Sequence, residues 1–192
     1  MKELFEVTLP KTVVLIGMMG VGKTSIGRRL AKKLGVDFID SDHEVEIAAK
    51  CSVADIFEIY GESAFRDVER RVIGRLLSEK PHILATGGGA FTDEESCKQI
   101  QENGISVWLK AEAETLLPRL ERRDHRPQFH QGDIERELKD LLDRYTPFYS
   151  RAVIQVDCTG SSPEATTDKI LLELNRYLSK MQMNNNQKIN HV

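Results

Sequence analysis

One stretch constrains this chain more than any other: "GMMGVGKTSIGRRL", beginning at Gly17. It grows out of an apolar, β-branched run, "TVVLIGM" at 12–18, and leads into a segment from about Lys23 to Leu34 that sets Ile26, Leu30 and Leu34 on one helical face and stops at Gly35. A strand, a glycine-rich turn and an amphipathic helix in direct succession fit the pattern G-x-x-x-x-G-K-[ST] in the context that gives it a mechanism. Glycines let the backbone wrap so that successive N–H groups point inward at phosphate oxygens, and the helix N-terminus adds partial positive charge. Gly20, Val21, Gly22, Lys23, Thr24 and Ser25 then cradle a nucleotide. Lys23 reaches its β- and γ-phosphates and the Thr24 hydroxyl ligates Mg²⁺.

The remainder of the chain repeats that alternation. "VDFID" (36–40), "HILATG" (82–87), "ISVWLK" (105–110) and "AVIQVD" (152–157) are further strand candidates, several of them apolar nearly throughout, as strands covered on both faces are. Between them the sequence predicts a helix near 44–50, one opened by the S-x-x-D cap from Ser52 to Asp55, and a longer one after Gly61, from about Glu62 to Leu77. A later helix starts at Thr92, and the last opens at Ser162-Pro163 with Ile170, Leu171, Leu174 and Leu178 inward. Strand and helix in alternation predict an α/β fold, a parallel sheet with helices on both faces. No linker or internal repeat divides the chain, so residues 1–181 read as a single domain and 182–192, which lack periodicity, as a frayed tail.

Composition removes other classes. A net charge of −3 lacks the basic excess that nucleic acid attracts, and no apolar run approaches the length that crosses a bilayer. The N-terminal "MKELFEVTLPK" scatters charge through its apolar residues, unlike a signal peptide. The three cysteines are far apart and form no CxxC pair, so they read as reduced thiols. The expectation is a cytoplasmic protein without nucleic-acid or membrane partners.

A phosphate loop alone leaves a kinase, a GTP switch and an ATPase motor open. "FIDSDHEVE" places Asp40 and Asp42 at the end of the second strand candidate, on the carboxyl edge where open α/β sheets bind ligands. Alternate residues leave a strand end on the same side, so both carboxylates can face one site, with turn or N-cap aspartates before the helix at 44–50 as the lesser alternative. "LATGGGAF" puts Gly87, Gly88 and Gly89 straight after the third strand candidate, where missing side chains let backbone approach a bound molecule. None of the asparagines opens the N-K-x-D motif that reads guanine.

In combination and in order, GxxGxGKT, the D-S-D, "ADIFEIYGESAFRDVE", "TGGGA", an arginine-rich stretch ending in Arg126-Pro127 and "RYTPFYSRA" strongly resemble shikimate kinase over about residues 11–178. The resemblance implies a five-stranded parallel sheet of order 2-3-1-4-5 and ATP-dependent, Mg²⁺-assisted phosphorylation of the 3-hydroxyl of shikimate, usually by a monomer. It assigns Asp40 to the outer Mg²⁺ shell and Asp42 to the substrate hydroxyls, with the attacking oxygen oriented by Asp42. Arg66 and Arg144 would grip the shikimate carboxylate, and Gly87, Gly88 and Gly89 would line its pocket. Arg126 would reach over the phosphates from a lid at about 124–133, and Arg119 falls at the adenine-stacking position, with Arg122 or Arg123 as alternatives.

The chemistry agrees with those assignments. Guanidinium forks suit a carboxylate, and two converging arginines make a specificity handle. Phosphoryl transfer through a loose transition state rests on positioning and on neutralised oxygen charge, which Lys23, Mg²⁺ and Arg126 would supply. The cations around Asp42 are expected to keep its carboxylate ionised. The rival readings are another small-molecule or nucleoside monophosphate kinase and a non-catalytic nucleotide-binding module.

Overall fold

Val13, Val14, Leu15 and Ile16 are all shielded completely from solvent. A strand buried on both faces belongs in the middle of a covered sheet. In the computed structural model, which describes residues 8–121 and 133–189, β1 (Thr12–Ile16) holds that central place. Around it lie β2 (Phe38–Asp40), β3 (Ile83–Ala85), β4 (Gly104–Lys110) and β5 (Ile154–Asp157), all parallel, in the order β2-β3-β1-β4-β5. Val13 is in register with Ile83 on one side and Ile105 on the other. The strand order therefore reverses around β1, and its carboxyl end is a switch point where such sheets bind ligands.

Helices α1 (Lys23–Leu34), α2 (Ser41–Ala49), α3 (Val53–Leu77), α4 (Glu94–Asn103), α5 (Ala113–Glu121), α6 (Ile134–Tyr149) and α7 (Pro163–Ile189) cover the sheet. The alternation of strand side chains divides the core in two. Val13, Leu15, Ile83 and Val107 pack with Ile26 and Leu30 of α1, Leu116 of α5 and Ile170 and Leu174 of α7. On the opposite face Val14, Ile16, Leu84 and Trp108 pack with Val45 of α2, Ile73 and Leu76 of α3 and Ile100 of α4. Burying each such side chain contributes about 1.5–3 kcal/mol. Helix α6 joins the two cores, with Leu138 in the first and Tyr149 in the second.

Several boundaries differ from the sequence expectation for physical reasons. Asp40 caps α2, so that helix starts at Ser41. A 3₁₀ turn takes Ala90–Thr92, and Asp93, whose carboxylate accepts the Ser96 N–H at 3.0 Å, starts α4 later than Thr92. Gly61, at φ 81°, breaks α3 where the sequence suggested a new helix. Helices α5 and α6 were not anticipated: Pro118 and Pro147 interrupt their patterns, yet Leu116/Leu120 and Leu138/Leu142/Tyr145/Tyr149 keep helical spacing. The backbone of α7 stays helical to Ile189, beyond the expected fraying at 182, because no glycine or proline after Pro163 stops it.

Candidate active site

Where β1 ends, the loop from Gly17 turns back on itself. Gly22 adopts φ 102° as the N-cap of α1, and a Cβ at Gly17, at φ 135°, would lie 2.6 Å from the Leu109 carbonyl oxygen. Both positions therefore require glycine. The loop encloses its own lysine: Lys23 Nζ donates to the carbonyls of Gly17 at 2.6 Å and Met18 at 3.1 Å. Val21 is buried and anchors the loop, while the Ser25 hydroxyl accepts from Arg29 at 2.6 Å. Gly20 lies against Leu120 of α5. From the same helix Arg119 Nη1 donates to the carbonyls of Gly20 at 3.4 Å and Val21 at 3.3 Å.

The end of β2 and the first turn of α2 bring the two aspartates to that loop. Thr24 Oγ1 donates to Asp40 Oδ2 at 2.9 Å, and the other oxygen of Asp40 accepts the Asp42 N–H at 3.2 Å. Asp40 is thus both the cap of α2 and the partner of the loop threonine. One residue past Ser41, Asp42 turns its Oδ1 inward, where the oxygen is buried with no hydrogen-bond partner.

A second orphan oxygen sits beside it, Oε1 of Glu69. A Cβ on Gly87 would come within 2.8 Å of Asp42 Oδ1 and 3.0 Å of Glu69 Oε1, so both atoms converge on the glycine turn after β3. Arg66, one turn before Glu69 on α3, donates from Nη1 to Glu69 Oε2 at 2.6 Å and from Nη2 to Glu62 Oε1 at 3.1 Å. Its guanidinium also fills the space that a side chain on Gly89 would need. Two carboxylates and a guanidinium thus surround a backbone stripped of side chains, with Lys23 close enough to act electrostatically on Asp42.

Burial and neighbouring charges act on both carboxylates. Burial raises the pKa of Asp42, the negative charge of Asp40 adds to that, and both prevail over the opposing pull of Lys23 and Arg66. Asp42 is therefore a stronger base than a carboxylate ruled by its cations. Burial pushes Glu69 further, to about 7, against the pull of Arg66 and with a smaller push from Asp42 and Asp93. No group of three or more His, Cys, Asp or Glu among the described residues forms a metal cage. The hard-oxygen pair Thr24 and Asp40 beside a phosphate loop suits Mg²⁺, which takes few protein ligands and keeps water and phosphate for the rest.

The family model for shikimate kinase matches residues 19–175. The chain is 48% identical over 168 residues to the shikimate kinase of Paramagnetospirillum magneticum, covering 88% of this chain and 86% of the relative. It is 50% identical over 162 residues to that of Caulobacter vibrioides, covering 84% and 80%. It superimposes on the shikimate kinase from Acinetobacter baumannii in complex with shikimate with a TM-score of 0.81 and 36% identity, covering 90% of this chain and 96% of the other. This chain belongs to the shikimate kinase family.

As a family member it keeps the sheet order and the phosphate-loop kinase fold that its sequence predicted. Most of the predicted site residues meet at one edge of the sheet: Lys23, Thr24, Asp40, Asp42, Arg66 and the turn Gly87–Gly89. Arg119 reaches the loop through Gly20 and Val21. Arg144 is not brought to Arg66 by any contact among the described residues. It is exposed on α6, with its guanidinium 5.9 Å from the centre of the Tyr145 ring. Arg126, the alternatives to Arg119 at the adenine position, Arg122 and Arg123, and the expected lid, apart from Asp133, lie outside the described residues. Asp133 caps α6.

Two residues escaped the sequence reading. Glu69 left a signal, since it stands at helical spacing among Phe65, Val72, Ile73 and Leu76, where a carboxylate on a buried face needs a partner. Tyr149, whose hydroxyl donates to the Gly88 carbonyl at 2.5 Å, comes from a segment 61 residues away and left none. Among the described residues no helix is long and apolar enough to cross a membrane.

Proposed function

We propose that the chain transfers the γ-phosphoryl group of ATP to the 3-hydroxyl of shikimate, giving shikimate 3-phosphate and ADP. The observation that carries this reading is the convergence of Asp42 Oδ1, Glu69 Oε1 and Arg66 on the glycine turn, next to the loop that holds Lys23. Hydroxyl groups need acceptors and a carboxylate needs a fork of donors; this pocket offers both. Asp42 orients the attacking oxygen toward the phosphoryl group and takes its proton late, a role that its raised basicity supports. Arg66 binds the acceptor carboxylate, and Arg144, exposed on α6, is the second arginine of that grip.

On the nucleotide side, the backbone of Gly20 to Ser25 and Lys23 hold the phosphates, Arg119 lies next to the base, and Arg126 completes the phosphate site from the lid. Thr24 and Asp40 would hold Mg²⁺, which supplies positive charge to the phosphate oxygens when bound. The protein works as a cytoplasmic monomer on two small anionic molecules.

A coupled assay of ADP release with shikimate, gluconate and nucleoside monophosphates as acceptors tests the reading. Turnover with shikimate alone is expected. Preference for another acceptor would reassign the pocket, and no turnover with any would favour a binding module.

A further inference from the structure

The glycine turn after β3 has each of its three carbonyls tied down. Gly87 O accepts the Ala90 N–H at 3.3 Å, and Gly89 O accepts the Thr92 N–H at 3.0 Å and the Thr92 hydroxyl at 2.8 Å. Gly88 O, between them, accepts the Tyr149 hydroxyl at 2.5 Å. The Gly87 N–H donates to Ser41 Oγ at 3.3 Å, whereas those of Gly88 and Gly89 have no hydrogen-bond partner among the described residues. With every carbonyl anchored, two adjacent donors are left for something else.

Tyr149 decides how one of them points. The peptide between Gly88 and Gly89 is trans, so its C=O and N–H face opposite ways. Holding Gly88 O on the Tyr149 side turns the Gly89 N–H to the other, and the Arg66 guanidinium fills the space where a Gly89 side chain would stand. The tether is stiff. Tyr149 is 1% exposed, its ring stands 5.9 Å from those of Trp108 and Tyr145, and burial raises its hydroxyl pKa, so it remains a donor throughout the neutral range. Gly88 also lies beside the phosphate loop, where a Cβ would be 3.5 Å from the Met19 nitrogen.

We infer that Tyr149 is a positioning residue for the acceptor: its hydroxyl fixes the Gly88–Gly89 peptide so that the Gly89 N–H stands beside Arg66 as a preset donor for the anionic end of the substrate. A merely structural Tyr149 would fill the space between α6 and β4 and leave substrate affinity alone. The inference rests on shikimate being the acceptor.

Tyr149→Phe separates the two roles, since it keeps the ring and its packing and removes only the donor. The measurements are the KM values for shikimate and ATP, kcat and the melting temperature. The inference expects the shikimate KM to rise about tenfold, the ATP KM to stay within about twofold and kcat to change less than about threefold. A fall in melting temperature with both KM values unmoved overturns it, and so does an equal rise of both. Tyr149→His stands in if the phenylalanine variant does not fold: it keeps an aromatic ring at the site and moves the donor away from Gly88 O. A shikimate KM unchanged in Tyr149→His then overturns the inference. Wild-type protein that fails to phosphorylate shikimate sinks the functional reading, whereas an active wild type beside an unaffected Tyr149→Phe sinks only the role of Tyr149.

Discussion

Thr24 Oγ1 and Asp40 Oδ2 lie 2.9 Å apart, joining the first turn of α1 to the last residue of β2. The bond sets a hydroxyl and a carboxylate oxygen at one edge of the phosphate loop, close enough to share a cation or its water shell. Thr24→Ala and Asp40→Asn should each raise the Mg²⁺ concentration for half-maximal turnover by about 10–100-fold, the cost typical of losing a supporting metal contact. Titration of activity with Mg²⁺ at saturating ATP and shikimate checks this. An unchanged Mg²⁺ requirement in both variants would remove the pair from the metal site.

Arg66 offers a different kind of test because it serves two partners. It neutralises the buried Glu69 and, in the proposed function, binds the acceptor carboxylate. Arg66→Ala should weaken shikimate binding by about 2–4 kcal/mol and leave ATP binding in place. The same change strands Glu69, which Glu69→Gln should partly repair. Calorimetric Kd values for both ligands, with melting temperatures of the single and double variants, decide it. A selective loss of ATP affinity would contradict the assignment.

The fold was legible in the sequence where one signal sufficed. The apolar strands, Gly17 to Thr24 and Gly61 each declare themselves locally, and the sheet order came with the family resemblance. What was not legible depends on distance. Helices α5 and α6 hide behind Pro118 and Pro147, which stand past the first turn, where proline costs a backbone hydrogen bond, although the leucine spacing persists around them. That burial raises the proton affinity of Asp42 was not legible, because a sequence shows which charges are near but not how deeply Oδ1 is buried. Arg66 and Glu69 are three residues apart on α3, so their pairing was open to inference. The bond from Tyr149 to Gly88 exists only because the end of α6 packs on the turn after β3.

Glu69 should leave a mark on the pH dependence of stability. An unfolded glutamate ionises near 4.5, and the folded one near 7 because it is buried. The folded state therefore binds more protons between those values, and the contribution of Glu69 to stability falls as pH rises through that window. Across the window the change is on the order of 3 kcal/mol, about 1.4 kcal/mol for each pKa unit. In Glu69→Gln this slope disappears, so any stability advantage of the wild type over the variant should shrink or reverse between pH 5 and pH 8. Melting temperatures of both proteins at the two pH values test it, and an offset that is the same at both would show that Glu69 does not titrate there.

Asp42 is the residue on which turnover should depend most. Its Oδ1 is buried and unpartnered, and burial together with Asp40 raises its affinity for a proton, so the ionised form costs the folded protein stability while it waits for a hydroxyl. Asp42→Asn keeps the shape, removes the charge and removes the ability to take a proton. Turnover should fall by about 10²–10⁴-fold, because general-base assistance and the orientation of the attacking oxygen are lost together. Affinity for ATP should change little, since Lys23 and the loop backbone hold the phosphates. Melting temperature should stay level or rise, because the neutral amide no longer opposes Asp40 and Glu69. That opposition between activity and stability distinguishes a reacting group from a structural one, which would lose both. Steady-state turnover of the variant, its ATP Kd and its melting curve are the measurements, and a loss of turnover smaller than about fivefold would move the role from Asp42 to Asp40.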